Sequence, residues 1–335
     1  KIKKMSKKKK ILITGVCGFI GFHLANEILK NESFFLVGLD NINNYYDIKL
    51  KKNRLAILKK NKNFKFIKCD ISRHYDINKK LNNFNFFGIY HLAAQAGVRY
   101  SFKEPRTYLE SNLVGFFNIL ELIKKKKPKI FIFASSSSVY GNSKKSVFSE
   151  EDRTDKPLSF YAASKKANEV MAYSYSELYN IKSVCIRFFS IYGTYGRPDM
   201  AIHTFFKNIL SRKKIILRDK GKHLRDYTFV NDAVQYLQCF IDEKNIKKLK
   251  ENFDVFNIGN TKPFSTINLL HSITKILKKV PKKVIYQKSK GESLKTRANN
   301  SKIEKFSKIK KRTNITFGLK IFSEWFKKYY KFKNN

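Results

Sequence analysis

Tyr161 and Lys165 stand four residues apart in SFYAASKKANE. On a helix that spacing sets both side chains on one face. A free tyrosine, with a pKa of about 10, is a poor base at neutral pH. A nearby ammonium favours the phenolate, and a phenolate can take the proton from a substrate hydroxyl. Earlier in the chain, four serines, Ser135 to Ser138, follow Ile130-Phe131-Ile132-Phe133. Serine runs usually mark loops, but this one continues the pattern of a buried strand. It reads as the carboxyl end of a strand, where open α/β sheets bind ligands. A serine hydroxyl there can share a hydrogen bond with the reacting oxygen. The Tyr-x-x-x-Lys spacing alone is weak, because a lysine-rich chain produces it by chance.

Its weight comes from what precedes it. ILITGVCGFIGFHLA sets Gly15, Gly18 and Gly21 between an apolar strand and a helix. Glycine lets the backbone turn tightly and approach a pyrophosphate, which then rests on the helix N-terminus. Phe19 and Ile20 belong to the same turn. VGLDN ends the next strand with Asp40 and Asn41. An acid there can bind the adenosine ribose hydroxyls and would repel a 2′-phosphate, so NAD is favoured over NADP. Asp70 and Ile71 end the third strand. Leu92, Ala93, Ala94, Gln95, Ala96 and Gly97 run on from the fourth. Both segments fall where a doubly wound sheet presents loops to a dinucleotide. Tyr161 and Lys165 complete the expected cofactor set.

The elements that must position these groups alternate. Strands are expected over 11–14, 35–40, 64–69, 86–92, 130–135 and 183–188. Helices are expected over 19–30, 47–60, 105–124 and 161–179. Repeated βα units imply an α/β fold, a doubly wound parallel sheet of the Rossmann type. A smaller C-terminal α+β substrate domain follows. The expected division is 9–188 with a return segment 228–262 for the dinucleotide, and 189–227 with 263–330 for the substrate. Residues 1–8 read as a basic disordered tail, with Met5 as the natural start.

The 335 residues leave ample room for a core. No run of eighteen apolar residues exists, so no membrane span is expected. Four cysteines, Cys17, Cys69, Cys185 and Cys239, match neither a zinc site nor a disulfide framework. They read as buried free thiols in a reducing, cytoplasmic compartment, and no metal site is expected. The net charge of +44 raises nucleic acid or an anionic membrane as partners. The lysines are scattered in short runs, however, and Lys, Asn and Ile are inflated throughout. That favours compositional drift over a specific nucleic-acid or membrane site.

TGxxGFIG, HLAAQAGVRYS, SSSSVYG, YAASKKANE, GRPDMA and RDYTFVNDA stand in order here. With them the chain resembles the extended short-chain dehydrogenase/reductase family over nearly its whole length. Within it the resemblance is to the nucleotide-sugar 4-epimerases, above all those of UDP-glucuronate. The resemblance implies NAD-dependent epimerisation of UDP-glucuronate to UDP-galacturonate through a 4-keto intermediate. It makes Ser136 the catalytic hydroxyl, Tyr161 the base and acid, and Lys165 the group that tunes Tyr161 and holds the nicotinamide ribose. Arg225 would grip the diphosphate, its alternative being an ion pair with Asp226. Arg187, Phe188 and Phe189 resemble the strand and turn beside the nicotinamide. The 4-keto intermediate is a β-keto acid that can lose CO₂, and Ser136, Ser137, Ser138, Ser190 and Arg197 are the groups implied to bind the sugar and hold its carboxylate. His203, Phe205 and Phe206 are candidates for the uridine side, and equally for the core face of a helix. A homodimer through the two long helices, 105–124 and 161–179, is also implied.

Rival activities leave different marks. A 4,6-dehydratase carries Asp-Glu in the serine segment, and a decarboxylase an acidic residue there. This segment reads Ser136-Ser137-Ser138-Val139-Tyr140, which disfavours both. A 4-epimerase of a neutral or N-acetylated UDP-hexose is the runner-up. A catalytically idle basic binding protein would be marked by strongly salt-dependent nucleic-acid binding. Departures from the family pattern are Cys17 in the glycine turn, Ser164 and Ser190 for threonine, and Asn299 for an acidic residue near the nucleotide.

Overall fold

The computed structural model describes residues 8–288, 291, 293–310 and 312–332. The expected basic tail therefore lies outside the described residues except for Lys8, whose Nζ donates to Asn63 Oδ1 at 2.6 Å.

The strands come as β1 (Lys9–Thr14), β2 (Phe34–Asp40), β3 (Phe64–Lys68), β4 (Gly88–His91), β5 (Ile130–Ser136) and β6 (Ser183–Phe188). After them follow β7 (Ser190–Tyr192), β8 (Ile215–Arg218), β9 (Leu224–Phe229), β10 (Phe253–Ile258), β11 (Pro263–Ser265) and β12 (Val284–Gln287). Seven form one parallel sheet in the order β10-β6-β5-β4-β1-β2-β3. Continuous apolar runs make its centre, because a parallel sheet is covered on both faces. Alternate residues divide between the faces. Ile11, Ile13, Ile130 and Ile132 join the core under the Phe19–Ile28 and Val230–Gln238 helices. Leu12, Phe131 and Phe133 join the core under the His74–Leu81, Gly115–Lys126 and Phe160–Tyr179 helices. The chain reverses its strand order between β1 and β4. That switch point opens a crevice at the strands' carboxyl ends, and the glycine turn after β1 lies directly in it.

A second core gathers Phe205, Phe206, Leu269, Leu270, Phe322 and Phe326. Around it lie the β11-β9-β7 and β12-β8 sheets and the Ala201–Leu210, Thr266–Leu277 and Ile315–Tyr330 helices.

Two expectations change. The single helix over 105–124 is broken. A π-helical turn, Leu109–Val114, separates Pro105–Tyr108 from Gly115–Lys126. The wide turn rotates Asn112 inward, where its side chain accepts from Gln95 N–H at 2.8 Å and donates to Gln95 O at 3.0 Å. The helix His74–Leu81 between β3 and β4 was not anticipated; it is short and polar, and buries only Ile77 and Leu81.

One buried ion pair ties the Phe160–Tyr179 helix to the sheet. Arg187 on β6 donates to Glu169 through Nε (3.0 Å) and Nη2 (2.8 Å). Ser135 Oγ donates to the same carboxylate at 2.5 Å. Both charges are almost fully buried. Breaking such a pair strands one charge in a medium that solvates it poorly. Glu169→Gln should therefore lower the stability to urea by about 3–5 kcal/mol. The double change Glu169→Gln/Arg187→Met should recover most of that loss. Equal destabilisation in the single and double variants would refute the stranded-charge account.

Candidate active site

The glycine turn is forced by close approach. Gly15 has φ +72°, and a Cβ there would lie 2.7 Å from Ala93 N. A Cβ on Gly21 would lie 2.2 Å from Gly15 O. With no side chains in the way, the Phe19–Ile28 helix begins against the end of β1. Its first N–H groups have no intrahelical partner and carry the positive end of the helix dipole. Gly15, Gly18, Phe19, Ile20 and Gly21 line one side of a cavity of about 240 Å³. Asp40 and Asn41 line it at the end of β2, and Ile71, Leu92, Ala93, Ala94 and Gln95 close the opposite side. Asp70 stands behind this wall. Its carboxylate accepts from Asn41 Nδ2 (2.8 Å) and from Ser72 N–H (2.9 Å). Asp40 accepts from Cys17 N–H (3.0 Å) and Ile42 N–H (2.8 Å). Burial pushes its pKa up, against those bonds and the nearby Lys51 charge. This cradle fits a dinucleotide: amide donors for a pyrophosphate, and a carboxylate one strand over for ribose hydroxyls.

Ser159 caps the Phe160–Tyr179 helix by accepting from Ala162 N–H at 3.1 Å. The cap fixes the first turn, and Tyr161 and Lys165 then line the same cavity. Lys165 is buried and donates to Ala134 O on β5 at 2.9 Å. Burial draws its pKa down to about 8, opposed by Cys185 and Glu169. Burial raises the Tyr161 phenol, opposed by a hydrogen bond with Ser136 and by the Arg197 charge. Ser136 Oγ lies 3.2 Å from Ser138 Oγ and accepts from Ser138 N–H at 3.2 Å. The serine run is thus the end of a strand turning into a short 3₁₀ segment, Ser137–Tyr140.

A second cavity, about 710 Å³, opens in front. It shares Ser136, Tyr161 and Arg197 with the first. Ser137, Ser138, Ser190 and Arg225 line it. Arg197 forks onto Asp199 through Nε (3.0 Å) and Nη2 (2.5 Å), and Tyr45 OH donates to Asp199 at 3.0 Å. Arg225 Nη1 donates to Ser293 O (2.8 Å), and its Nη2 contacts His223 Nδ1 (2.7 Å). The alternative Arg225–Asp226 ion pair is not made. Asp226 turns inward and accepts from Thr261 and Ala298 N–H, each at 2.9 Å. His203 and Phe205 line the cavity, whereas Phe206 belongs to the second core. Asn299 does not line it; its side chain accepts from Ser301 N–H at 3.0 Å.

A dinucleotide cradle and a chamber that carries serines and arginines, meeting at a Ser-Tyr-Lys set, define the kind of site, and the family model agrees. The model described as the NAD dependent epimerase/dehydratase family matches residues 11–259. The chain belongs to this family. Among similar proteins, an uncharacterized protein of Methanocaldococcus jannaschii is 44% identical over 323 residues, 96% of this chain and 97% of its own. UDP-glucuronate 4-epimerase 4 of Arabidopsis thaliana is 39% identical over 332 residues, 96% of this chain and 76% of its own. The crystal structure of UDP-glucuronic acid 4-epimerase from Bacillus cereus, in complex with UDP-glucuronic acid and NAD, superposes with a TM-score of 0.89. It is 33% identical, and the match covers 96% of this chain and 100% of that one.

For a member of this family, several side chains of the site escaped the sequence reading. Tyr45 lines both cavities and packs on Tyr100, ring centroids 4.7 Å apart. Arg99 and Lys103 line the larger one. The aromatic pair in NNYYD, Tyr45 and Tyr46, was the available signal. Asn112 also donates to Ser164 Oγ at 3.0 Å, and Ser164 in turn to Tyr161 O at 2.8 Å. No motif announced that relay.

Gly21→Ala should force the glycine turn open. The cofactor found in the purified, denatured protein by chromatography should fall at least about tenfold against wild type, a step of about 1.4 kcal/mol. An unchanged cofactor content would show that the turn tolerates the methyl and does not hold the pyrophosphate.

Proposed function

We propose that the protein epimerises UDP-glucuronate at C4 to UDP-galacturonate, with NAD kept bound throughout. One observation carries the reading: the dinucleotide cradle and the chamber in front of it meet at Ser136 and Tyr161. A sugar carbon lodged there has a base on one side and the cofactor cradle on the other. The names of the similar proteins, and the bound molecules of the Bacillus cereus structure, support the substrate. When bound, NAD supplies the acceptor that takes a hydride from C4 and later returns it to the opposite face.

The chain's own groups do the rest. Tyr161 takes the proton of the C4 hydroxyl and later gives it back. Ser136 shares a hydrogen bond with that oxygen. Lys165, held at Ala134 O, supplies positive charge that favours the phenolate. Arg225 faces the diphosphate. The carboxylate falls to the hydroxyls of Ser137, Ser138 and Ser190 and to Arg197. Two of the five N–H groups of Arg197 are engaged by Asp199, so it acts as a held donor with its position fixed. Residues 9–188 with 228–262 form the cofactor body, and 189–227 with 263–330 the sugar-nucleotide body.

Purified protein is given UDP-glucuronate, first without and then with added NAD, and products are resolved by chromatography and mass spectrometry. A product of the same mass eluting as UDP-galacturonate, formed without added NAD, is expected. The rate should fall as pH rises through about 8, where Lys165 loses its proton. A product lighter by CO₂ would replace the assignment with decarboxylation. Turnover of UDP-glucose or UDP-N-acetylglucosamine alone would move it to a neutral-sugar epimerase.

The proposal extends to a homodimer. Leu109, Val114, Phe117, Val170 and Tyr173 are exposed large side chains on the π-helical turn and the Gly115–Lys126 and Phe160–Tyr179 helices. Such a patch fits a self-complementary four-helix contact. Val170→Asp should give a monomer by light scattering where wild type gives a dimer; a wild-type monomer would sink the idea. The four cysteines are free and buried, which supports a reducing compartment and the cytoplasm as the place of action. No helix among the described residues is long and apolar enough to cross a membrane.

A further inference from the structure

The loop that carries Arg197 and Asp199 holds one residue in an unfavourable backbone conformation. Tyr195, two residues before Arg197, has left-handed backbone, φ 53°. L-residues avoid that region, so neighbouring groups must hold it. Two side chains from helices of the cofactor-binding half do so. His23, on the Phe19–Ile28 helix, is bonded through Nε2 to Thr194 O at 2.8 Å. Burial draws the His23 pKa down to about 4, so at neutral pH the ring is uncharged and Nε2 carries the donated proton. Arg54, on the Ile48–Leu58 helix, is fully buried. Its Nη2 donates to Tyr195 O at 2.5 Å. Its Nη1 donates to Cys17 O at 2.8 Å and to Tyr46 OH at 2.7 Å. Cys17 lies inside the glycine turn. One guanidinium therefore grips the turn that cradles the cofactor and the loop that carries Arg197.

The surroundings make this grip stiff. The Tyr195 ring packs on Phe22 and on Trp325, centroids 5.1 Å away in both cases. Tyr329 stacks on Trp325 at 5.2 Å and accepts from Asn53, the residue beside Arg54. Arg54 itself lines neither cavity, and His23 lines neither. Neither can touch substrate or cofactor, so whatever they contribute passes through the segments they hold.

We propose that His23 and Arg54 are positioning residues that couple cofactor binding at the glycine turn to the geometry of the 193–199 loop. The inference rests on the reading that NAD occupies the Gly15–Gly21 cradle and a UDP-sugar the chamber in front. Binding in the chamber fixes the loop. The fixed loop, through Thr194 O and Tyr195 O, fixes the helix start and the turn beneath the cofactor. The coupling is reciprocal, as linkage requires. Its use is plain in a reaction that must return the hydride to the same bound intermediate, since the cofactor is held most tightly while the sugar is present.

The test uses the holoenzyme and measures exchange of bound NAD for labelled NAD, with and without saturating UDP. In wild type, UDP should slow exchange about tenfold or more, within the usual span of coupling between sites. In His23→Phe the slowing should fall to about threefold or less, with exchange in the absence of UDP within about threefold of wild type. His23→Gln keeps an N–H donor and should restore at least half of the slowing. Arg54→Lys keeps the buried charge but cannot reach Cys17 O and Tyr195 O together, and should lose the slowing as His23→Phe does. If Arg54→Lys does not fold, the two His23 variants decide. Full slowing in His23→Phe would overturn the proposal. So would equal loss in His23→Phe and His23→Gln, which would trace the effect to packing, and so would a wild type insensitive to UDP. A protein that shows the UDP effect but does not turn over UDP-glucuronate would sink the proposed activity and support the coupling.

Discussion

The approach of Gly15 to the Leu92–Ala93 backbone is the constraint on which the site depends. The two segments end neighbouring strands, β1 and β4, at the point where strand order reverses. With a Cβ excluded at 2.7 Å, they close to backbone contact, and the helix after the glycine turn starts at the sheet edge. Everything that faces the cradle takes its distance from that contact. Asp40 lies one strand away on β2, and Lys165 reaches across to β5. A side chain at Gly15 would separate β1 from β4 at their ends and move the helix N-terminus away from the groups it must face.

A second layer keeps charge where water is scarce. Lys165, Glu169 and Arg187 are buried near one another behind the serine wall. Buried ions are costly unless paired and hydrogen-bonded. Here Glu169 takes both Arg187 and Ser135, and Lys165 takes Ala134 O. These bonds fix β5 against the Phe160–Tyr179 helix, so the separation of Ser136 from Tyr161 is set by buried contacts, not by two free rotamers. The low dielectric that makes the ions costly also strengthens the attractions among them.

Most of this frame was legible in the sequence because it rests on local patterns. The runs Ile11–Ile13 and Ile130–Phe133, the glycine spacing, and the Tyr161–Lys165 interval each state a geometry in a few residues. The missed features depend on partners distant in the chain. The π-helical turn exists because Asn112 must meet Gln95, which no helical periodicity reveals. Asp70 stands at a strand end as expected, but the bond its carboxylate accepts from Asn41, 29 residues back, is stated by no motif. The engagement of Arg197 by Asp199 and Tyr45 joins loops after β7 and β2. No motif marks His23 or Arg54, and only the fold brings Thr194, Tyr195 and Cys17 to them.

The pairing of Arg197 with Asp199 bears on the hazard of the proposed reaction. A 4-keto uronate loses CO₂ when its C–C bond to the carboxylate aligns with the carbonyl π system and the carboxylate is left without donors. Hydrogen bonds stabilise the carboxylate ground state more than the departing neutral CO₂, so they raise the barrier to loss. Serine hydroxyls supply such bonds and also fix orientation. A free arginine would add a strong pull but would be mobile; forked onto Asp199, it offers its remaining N–H groups from a set direction. Under the proposed roles, the hold on the carboxylate depends on geometry set by the loop around Tyr195, which would make the left-handed residue and its clamps part of the chemistry as well as of the fold.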